Sequence, residues 1–426
     1  MRRAVIVGGA RTPFVRAFGT FLKLDAIGLG VAAVGGLLER FPIPRTEIDS
    51  VIWGGVILPS GAPNVGREIA LDLRLPPSVE AYTVSRACAS GLQAVTLAAA
   101  AIERGDADVV IAGGADSTSN ARIELPASFV HKVAPVAMSS KSGPMDYLSL
   151  LGKLSPSRDL VPRKPAIAER STGELMGEAA ERMAERNGIS RADQDAFAAR
   201  SHHRAAAAIS AGRFADELWP VQTKRSKVFS DEIVRADTSA ERLAKLRPVF
   251  KKGGTLTAGN SSALTDGSAA VLMMSEDKAR ALGLTPLAAF KSWAYVGVDP
   301  ADQLLMGPAL AMPKALEKAG MALSDVDVVD MHEAFAAQVL AILKMLGSDA
   351  FARERLGRDR AVGEIDPEIL NVHGGSVALG HPFGATGARM ALTMAHEVHA
   401  RGTGSTALLG ICAAGGLGAG AVLEAV

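Results

Sequence analysis

Residues 85–114, SRACASGLQAVTLAAAAIERGDADVVIAGG, contain the pattern that decides the fold of this chain. Gly91 opens an Ala-rich run that is typical of a helix, and Gly105 closes it. The apolar run that follows predicts a buried strand, which ends at Gly113-Gly114. The stretch therefore predicts one helix–strand unit of an α/β protein.

A second copy of this unit lies near the other end of the chain. Gly387 opens a helix that ends at Gly402, and the strand that follows ends at Cys412. Residues 48–51 correspond in the same way to residues 326–329, because each segment leads into a strand. This ordered internal duplication predicts an α/β fold with two similar, parallel-rich layers packed face to face.

The composition excludes several classes of protein. The 426 residues carry a formal net charge of +1 and only 4% are aromatic, so nothing indicates a nucleic-acid partner. With only two cysteines, the chain cannot form a framework of several disulfides. The sequence contains no run of eighteen apolar residues, so no transmembrane segment is expected. Residues 4–7 are expected to form a first strand, and the N-terminus does not have the pattern of a secretory signal. We therefore expect a protein of the reducing cytoplasm.

Cys88 and Cys412 are both candidate reactive thiols. Small residues surround each of them, which leaves room for a substrate and for backbone N–H groups. Cys88 also precedes a helix, whose dipole is expected to lower the pKa of the thiol. His381, between Gly380 and Pro382 at another helix start, offers a base for a thiol. The alternative is that both cysteines are buried and inert, which is the commoner fate of a free cysteine.

Residues 120–247 differ in character from the two ends. They contain long polar helical stretches and basic clusters, such as 224–227 and 242–252. One interpretation is a lid or loop domain that presents cations to a phosphate-bearing substrate, and the other is an ordinary solvated surface. Composition does not separate the two. The pair His202-His203 lies on a charged helical stretch and is expected at the solvated surface.

Five motifs are distributed along the whole chain. They are Cys-Ala-Ser-Gly at 88–91, Thr-Ala-Gly-Asn-Ser-Ser at 257–262, His-Glu-Ala-Phe at 332–335, Gly-His-Pro at 380–382 and Cys-Ala-Ala-Gly-Gly-Leu-Gly at 412–418. In this order, and with a compatible length, they resemble the thiolase family. The resemblance implies the thiolase-like duplicated five-layered α-β-α-β-α fold with an inserted loop domain. Its expected domains are an N-terminal half of residues 1–119 and 248–278, the inserted domain of 120–247, and a C-terminal half of 279–426.

The resemblance also implies the chemistry of the site. Cys88 would attack the 3-keto carbonyl of a 3-ketoacyl-CoA and become acylated, and His381 would take its proton. Cys412 would act as acid and base toward the acetyl-CoA carbon. The enolate oxygen would be stabilised by His381 and, through a water, by His332. The backbone N–H groups of Cys88 and Ala414 would meet the thioester oxygen.

One departure from the family pattern concerns His332, because most thiolases have Asn at this position. An imidazole can orient a water as Asn does, but it also titrates near physiological pH. The His form is similar to the thiolase (β) subunit of trifunctional fatty-acid β-oxidation complexes, which implies a hydratase/dehydrogenase α subunit as a partner. The alternative for His332 is a satisfied core histidine. The neighbours Gly374-Gly375 favour a place near the site for His373, without an assigned role.

For coenzyme A, the resemblance implies four contacting residues. Ser262 would touch the pantetheine arm, Met176 and Phe335 would line its tunnel, and Arg235 would lie near the nucleotide phosphate. Coenzyme A is a substrate in this chemistry, so neither a cofactor nor a metal is expected.

These expectations combine into one function, a 3-ketoacyl-CoA thiolase (acetyl-CoA C-acyltransferase) of fatty-acid β-oxidation that forms a homodimer or homotetramer. The nearest alternative is a biosynthetic acetoacetyl-CoA thiolase. A non-catalytic thiolase-fold assembly subunit is disfavoured because Cys88, His381 and Cys412 are all intact. A redox-active dithiol protein is disfavoured because the chain has no Cys-x-x-Cys.

Overall fold

A computed structural model describes residues 2–163 and 167–426 of the chain. The strands are β1 (Ala4–Arg11), β2 (Val15–Arg16), β3 (Ser50–Gly54), β4 (Glu80–Val84), β5 (Val109–Ser117), β6 (Val221–Gln222), β7 (Lys227–Val228), β8 (Thr265–Ser275), β9 (Ala288–Gly297), β10 (Val328–Met331), β11 (Thr406–Ala413) and β12 (Leu417–Ala425). The helices are α1 (Ala26–Arg40), α2 (Val65–Asp72), α3 (Ser90–Arg104), α4 (Ala127–Ala137), α5 (Pro144–Lys153), α6 (Pro156–Asp159), α7 (Met176–Arg186), α8 (Arg191–Ser210), α9 (Ala240–Leu243), α10 (Glu276–Ala281), α11 (Pro308–Ala319), α12 (Ala336–Leu346), α13 (Asp349–Phe351), α14 (Ser376–Leu379) and α15 (Phe383–Arg401).

The main sheet is nearly symmetric in its strand order. Its strands run β4-β3-β5-β8-β1 and continue as β9-β12-β11-β10. The parallel pair β3–β5 corresponds to β10–β11, and the antiparallel pair β5–β8 corresponds to β11–β12. Beyond β10, Val329 pairs in parallel with Leu370, in the place that β4 occupies in the first half. This symmetry confirms the internal duplication inferred from the glycine-bounded helices.

The two sequence-related halves meet where β1 pairs with β9, over the two residue pairs Val5–Ala289 and Ile6–Ala288. The prediction that each layer would be parallel-rich is wrong, because among the described residues the parallel strand pairs of the main sheet lie only toward its outer edges. Near the junction every pair is antiparallel. One cause is local: three residues join β11 to β12, and such a short turn permits only antiparallel pairing.

Helices separate and cover the two halves of the sheet. The first core cluster places α3 and α15 between them, against inward residues of strands from both halves. A second cluster covers the outer face of the first half with α1 and α2. A third covers the outer face of the second half with α11 and α12. The layers therefore follow the order α-β-α-β-α, and the predicted five-layered fold is confirmed.

Two glycines let the central helices approach each other closely. A Cβ placed on Gly91, in the first turn of α3, would lie 2.4 Å from the carbonyl oxygen of Gly384. A Cβ on Gly387, in the first turn of α15, would lie 2.4 Å from the backbone nitrogen of Leu92. Any larger residue would separate the helices. The two helix N-termini are thereby held side by side.

The chain divides into two compact units, of which the first comprises residues up to Asn120 together with Glu169–Val426. The second, Ala121–Ala168, contains α4, α5 and α6, and the ion pair Lys132–Asp159 lies within it. The inserted region expected at 120–247 includes residues of both units, and its boundaries stay a prediction. Among the described residues, no helix has both the length and the apolar character needed to cross a membrane.

Candidate active site

Cys88 lies in a tight turn between β4 and α3. The side chain of Ser90 fixes this turn, because its hydroxyl donates to the carbonyl of Ala87 (2.6 Å) and accepts from the N–H of Arg86 (2.8 Å). Ala87 has φ +44°, a left-handed conformation that costs free energy for a residue with a Cβ. The strained turn places the thiol at the N-terminus of α3, on the side that faces α15.

His381 lies in the corresponding turn before α15. Gly380 has φ +102° and no room for a Cβ, because Thr265 would lie 2.7 Å away. The backbone N–H of His381 donates to the hydroxyl of Thr265 (2.7 Å), and its Nδ1 shares a hydrogen bond with the hydroxyl of Thr386 (2.6 Å). These contacts fix both the position and the orientation of the ring. Its Nε2 is buried and has no hydrogen-bond partner among the described residues.

His332 follows the end of β10, where its backbone N–H donates to the carbonyl of Gly410 in the neighbouring strand (2.8 Å). Its Nδ1 shares a hydrogen bond with the hydroxyl of Ser376 (2.8 Å), and its Nε2 is buried with no partner among the described residues. The centroids of the His332 and His381 rings are 4.1 Å apart. The two imidazoles therefore form one buried pair.

The second thiol reaches the same place from β11. Cys412 pairs with Gly418 of β12, which must be small because a Cβ there would lie 2.3 Å from the carbonyl carbon of Gly307. The Cys412 thiol is close enough to Cys88 that a charge on one raises the pKa of the other. The backbone N–H groups of Ala414 and of Cys88 itself are directed at the Cys88 sulfur. The Cys88 sulfur and one ring nitrogen from each of the two histidines all lie within 4.8 Å of one another.

Burial decides the protonation of these groups. It raises the pKa of the Cys88 thiol to about 12, and the nearby Asp116 carboxylate adds to this increase, although the two backbone N–H groups oppose it. Burial also raises the pKa of Cys412 well above its usual value. The same cause lowers the pKa of His381 to about 3 and that of His332 well below its ordinary value. At neutral pH the site holds neutral thiols and neutral imidazoles.

Two sequence-based expectations are therefore wrong. The thiol of Cys88 does not have a lowered pKa, because the loss of hydration outweighs the dipole of α3. His332 does not titrate near physiological pH, because it is fully buried beside a second imidazole and near the positive charge of Arg389. Both errors arise from burial by the other half of the molecule, which local sequence does not reveal.

Asp116, at the end of β5, is a functional residue that the sequence reasoning missed. Its buried carboxylate accepts hydrogen bonds from the backbone N–H groups of Ile57 (2.6 Å) and Gly384 (2.6 Å), and also from Val56. It thereby fixes the first turn of α15, which follows His381. Burial raises the pKa of this carboxyl to about 6. An Asp two residues after Gly113-Gly114, near the end of a buried apolar strand, was the signal available in the sequence.

Glu333 orders the segment that contains Ser376, the hydrogen-bond partner of His332. Its buried carboxylate accepts hydrogen bonds from the side chains of Ser201 (2.7 Å) and Asn371 (2.7 Å) and from the N–H of Val377 (3.1 Å). Ser376, the partner of His332, lies within this bound segment. The His-Glu pair of the 332–335 motif therefore consists of one residue at the site and one that orders the loop beneath it.

Of the residues expected to contact coenzyme A, two lie in the same apolar cluster as Cys412. Met176, at the start of α7, and Phe335 are both buried there, and Phe335 packs edge-to-face on Phe250 with 5.8 Å between centroids. Ser262 is half-buried, and its N–H donates to the carbonyl of Ala334 (2.9 Å). Arg235 is exposed.

The other histidines have structural environments. His202 was expected at the surface but is buried, because α8 packs its face against the segment that carries Arg235, whose N–H donates to Nδ1 of His202 (3.2 Å). Burial lowers the pKa of His202 to about 4. His203 is exposed, as expected. His373 shares a 2.6 Å hydrogen bond with the carboxylate of Glu397.

Comparisons with known proteins identify one family over nearly the whole chain. A family model described as thiolase, N-terminal domain, matches residues 4–277, and one described as thiolase, C-terminal domain, matches residues 284–425. The chain is 47% identical over 428 residues to a 3-ketoacyl-CoA thiolase of Escherichia coli (strain 55989 / EAEC), covering 99% of this chain and 97% of the relative. It is also 47% identical over 425 residues to a 3-ketoacyl-CoA thiolase of Yersinia pestis (strain Pestoides F), with the same coverage.

Two solved structures are similar over the full length. The Bacillus anthracis acetyl-CoA acetyltransferase superposes with a TM-score of 0.83 at 33% identity. The human mitochondrial 3-ketoacyl-CoA thiolase superposes with a TM-score of 0.81 at 30% identity. In both cases the match covers 100% of this chain and 99% of the solved chain.

Proposed function

The chain belongs to the thiolase family and is an acyltransferase that acts as a 3-ketoacyl-CoA thiolase, and we propose that it works through an acyl thioester on Cys88. The observation that supports this mechanism is the convergence of Cys88, His381, His332 and Cys412, with the backbone N–H of Ala414 directed at the Cys88 sulfur. A site for binding alone would not need two thiols and two imidazole nitrogens that lack hydrogen-bond partners within residues 2–163 and 167–426.

The first half-reaction begins from the neutral pair of Cys88 and His381. With Nδ1–H donating to Thr386, the Nε2 of His381 carries the lone pair that accepts the Cys88 proton. The sulfur bonds to C3 of the 3-ketoacyl-CoA, and the C2–C3 bond breaks. Cys412 gives its proton to C2, so acetyl-CoA leaves and the acyl group remains on Cys88.

The second half-reaction reverses these proton transfers. The Cys412 thiolate takes the proton of the incoming coenzyme A thiol, and the resulting thiolate attacks the Cys88 thioester. Cys88 leaves as a thiolate and takes back its proton from His381, which restores the resting state. Because the thiolate forms only when substrate is present, the high pKa of the resting thiol is compatible with the reaction.

Donors already aligned in the site would stabilise the oxyanions. The backbone N–H groups of Cys88 and Ala414 would bind the thioester oxygen, while the protonated Nε2 of His381 and a water held by His332 would bind the enolate oxygen. We expect His332→Ala to lower kcat by about 10²–10³-fold, the loss typical for a removed oxyanion donor. His332→Asn, which keeps a donor, should recover much of this loss.

The coenzyme A site is proposed on the side of Cys412. Met176 and Phe335 belong to its apolar cluster, which suits a tunnel for the pantetheine arm, and Ser262 lies next to that cluster. Exposed Arg235 would bind a nucleotide phosphate. Arg235→Ala should then raise the KM for coenzyme A and leave kcat unchanged, because the contact is common to the ground and transition states. An unchanged KM would show that Arg235 does not bind coenzyme A.

We also propose a role in cytoplasmic fatty-acid β-oxidation, as a homo-oligomer that binds a hydratase/dehydrogenase subunit. Apolar side chains on α5 support such a surface, since Met145, Leu148 and Leu151 are each more than 60% exposed. Tyr147→Ser with Leu151→Ser should abolish co-purification of that subunit and preserve thiolysis, while Lys141→Ser should change neither. Wild-type protein that co-purifies with no such subunit from its own cells would contradict the partner proposal.

A thiolysis assay tests the function directly. Acetyl-CoA formation should be measured from 3-ketoacyl-CoA substrates of increasing chain length with coenzyme A, and Cys88→Ala supplies the blank. Turnover that is confined to acetoacetyl-CoA would favour the biosynthetic alternative, and no turnover of any substrate would favour an assembly subunit.

A further inference from the structure

Two buried imidazole nitrogens and one thiol converge in this site. Among the described residues, neither nitrogen has a hydrogen-bond partner. They are Nε2 of His332, Nε2 of His381 and Sγ of Cys88. We propose that these three atoms form an inhibitory binding site for a thiophilic divalent cation of the zinc class. The metal would take no part in thiolysis, because it would occupy the sulfur that must attack the substrate.

The two imidazoles are already oriented as metal ligands usually are. In each ring, Nδ1 forms a hydrogen bond with a hydroxyl, from Ser376 for His332 and from Thr386 for His381. Such a partner fixes the ring and its tautomer, so that with Nδ1 protonated the other nitrogen carries the coordinating lone pair. One nitrogen of each ring lies within 4.8 Å of the Cys88 sulfur, and in both rings Nε2 is the buried nitrogen that has no hydrogen-bond partner among the described residues.

The spacing is compatible with zinc after a small adjustment. With Zn–S distances of about 2.3 Å and Zn–N distances of about 2.0–2.1 Å, ligand atoms of a tetrahedral site lie about 3.3–3.6 Å apart. The three ligand atoms are within 4.8 Å of one another, and rotation of the short Cys88 side chain can shorten the two separations that involve its sulfur. A water would complete the coordination.

The donor set favours zinc over harder cations. Thiolate and imidazole bind Zn²⁺, whereas Mg²⁺ and Ca²⁺ prefer carboxylate and carbonyl oxygens. Binding replaces the S–H bond of Cys88 with a Zn–S bond, and the proton goes to solvent, so no oxidant or other reactant is needed.

Direct binding measurements test the proposal without turnover. Metal-free enzyme should be titrated with Zn²⁺ against a chromophoric chelator, and with Co²⁺ as an optical probe. We expect one equivalent of zinc and a thiolate-to-cobalt charge-transfer band. Cys88→Ser should abolish the band, and His332→Asn or His381→Asn should weaken zinc binding by more than about 100-fold. Ser376→Ala and Thr386→Val, which only orient the ligands, should weaken it by about 10–100-fold.

His399→Asn is the matched control, because His399 lies exposed at the far end of α15 and should not affect the affinity. Zinc should also inhibit thiolysis by the wild type, and a chelator should restore the rate. The proposal is overturned by the absence of a stoichiometric site, by zinc binding that survives all three ligand substitutions, by cobalt binding without the band, or by zinc-loaded enzyme that retains full activity. None of these results would affect the proposed thiolysis mechanism, which the acyl-transfer assays test separately.

Discussion

The starts of α3 and α15 occupy equivalent places in the two halves, yet one presents a thiol and the other an imidazole. The strands that follow these helices also begin alike. Asp49 accepts a hydrogen bond from the N–H of Val109 at the start of β5, and Asp327 accepts one from the N–H of Thr406 at the start of β11. At the other ends of these strands, β5 presents Asp116 and β11 presents Cys412. The repeated backbone brings these helix and strand ends together, and the residues that differ between the two copies determine the chemistry.

The comparison implies that neither half is catalytic alone, and this gives the largest expected effect. Cys88→Ser and His381→Asn should each lower kcat severely, by about 10⁴–10⁶-fold for the nucleophile and about 10²–10⁴-fold for the base. The double variant should be no worse than Cys88→Ser, because residues that act as a unit are not additive. Steady-state kinetics on the three variants measure this, and additive losses would show that the two helix starts act independently.

Cys412, near the end of β11, should be needed for only one of the two chemical steps. Cys412→Ser should still allow acyl transfer from a simple acyl-CoA to Cys88, but it should slow exchange of the α-proton of acetyl-CoA by about 10²–10⁴-fold, because the acid/base group at C2 is lost. Deuterium exchange followed by mass spectrometry measures the second rate. If Cys412→Ser exchanges that proton as fast as the wild type, Cys412 is not the base.

Much of this arrangement could be predicted from sequence, and the rest follows from contacts between distant segments. The glycine-bounded helices and the motif residues were local signals, so the duplication and the four converging side chains could be identified. Ser376, Thr386 and Asp116 act through hydrogen bonds that only the packed halves create. The sign of the Cys88 pKa shift was missed for the same reason.

The close approach of the two helices can be tested through stability. Gly91→Ala should destabilise the protein by about 1–3 kcal/mol, because its Cβ would overlap the backbone of α15 and overpack the core. Gly35→Ala in α1 is the matched control, since its Cβ would meet only Leu73 at 3.7 Å. The control should stabilise by about 0.5–1 kcal/mol, the usual gain of Ala over Gly within a helix. Chemical denaturation measures both, and equal effects would contradict the close contact.

The smallest expected effect concerns the resting thiol. Because burial raises the pKa of Cys88 to about 12, its thiolate fraction should rise about tenfold per pH unit across the neutral range. The rate of alkylation by iodoacetamide should therefore increase about 100-fold from pH 7 to pH 9 without a plateau. A rate that levels off below pH 8 would show a thiol with a lowered pKa. It would mean that the dipole of α3 outweighs the loss of hydration.

The central claim is that the thiol of the first half carries the acyl group while the residues of the second half move protons. The most direct measurement is to mix the enzyme with a 3-ketoacyl-CoA in the absence of coenzyme A, quench in acid, and map the acyl group by peptide mass spectrometry. We predict a thioester on the Cys88 peptide and none on the Cys412 peptide. Acylation on Cys412 alone, or the absence of any thioester during turnover, would contradict the account.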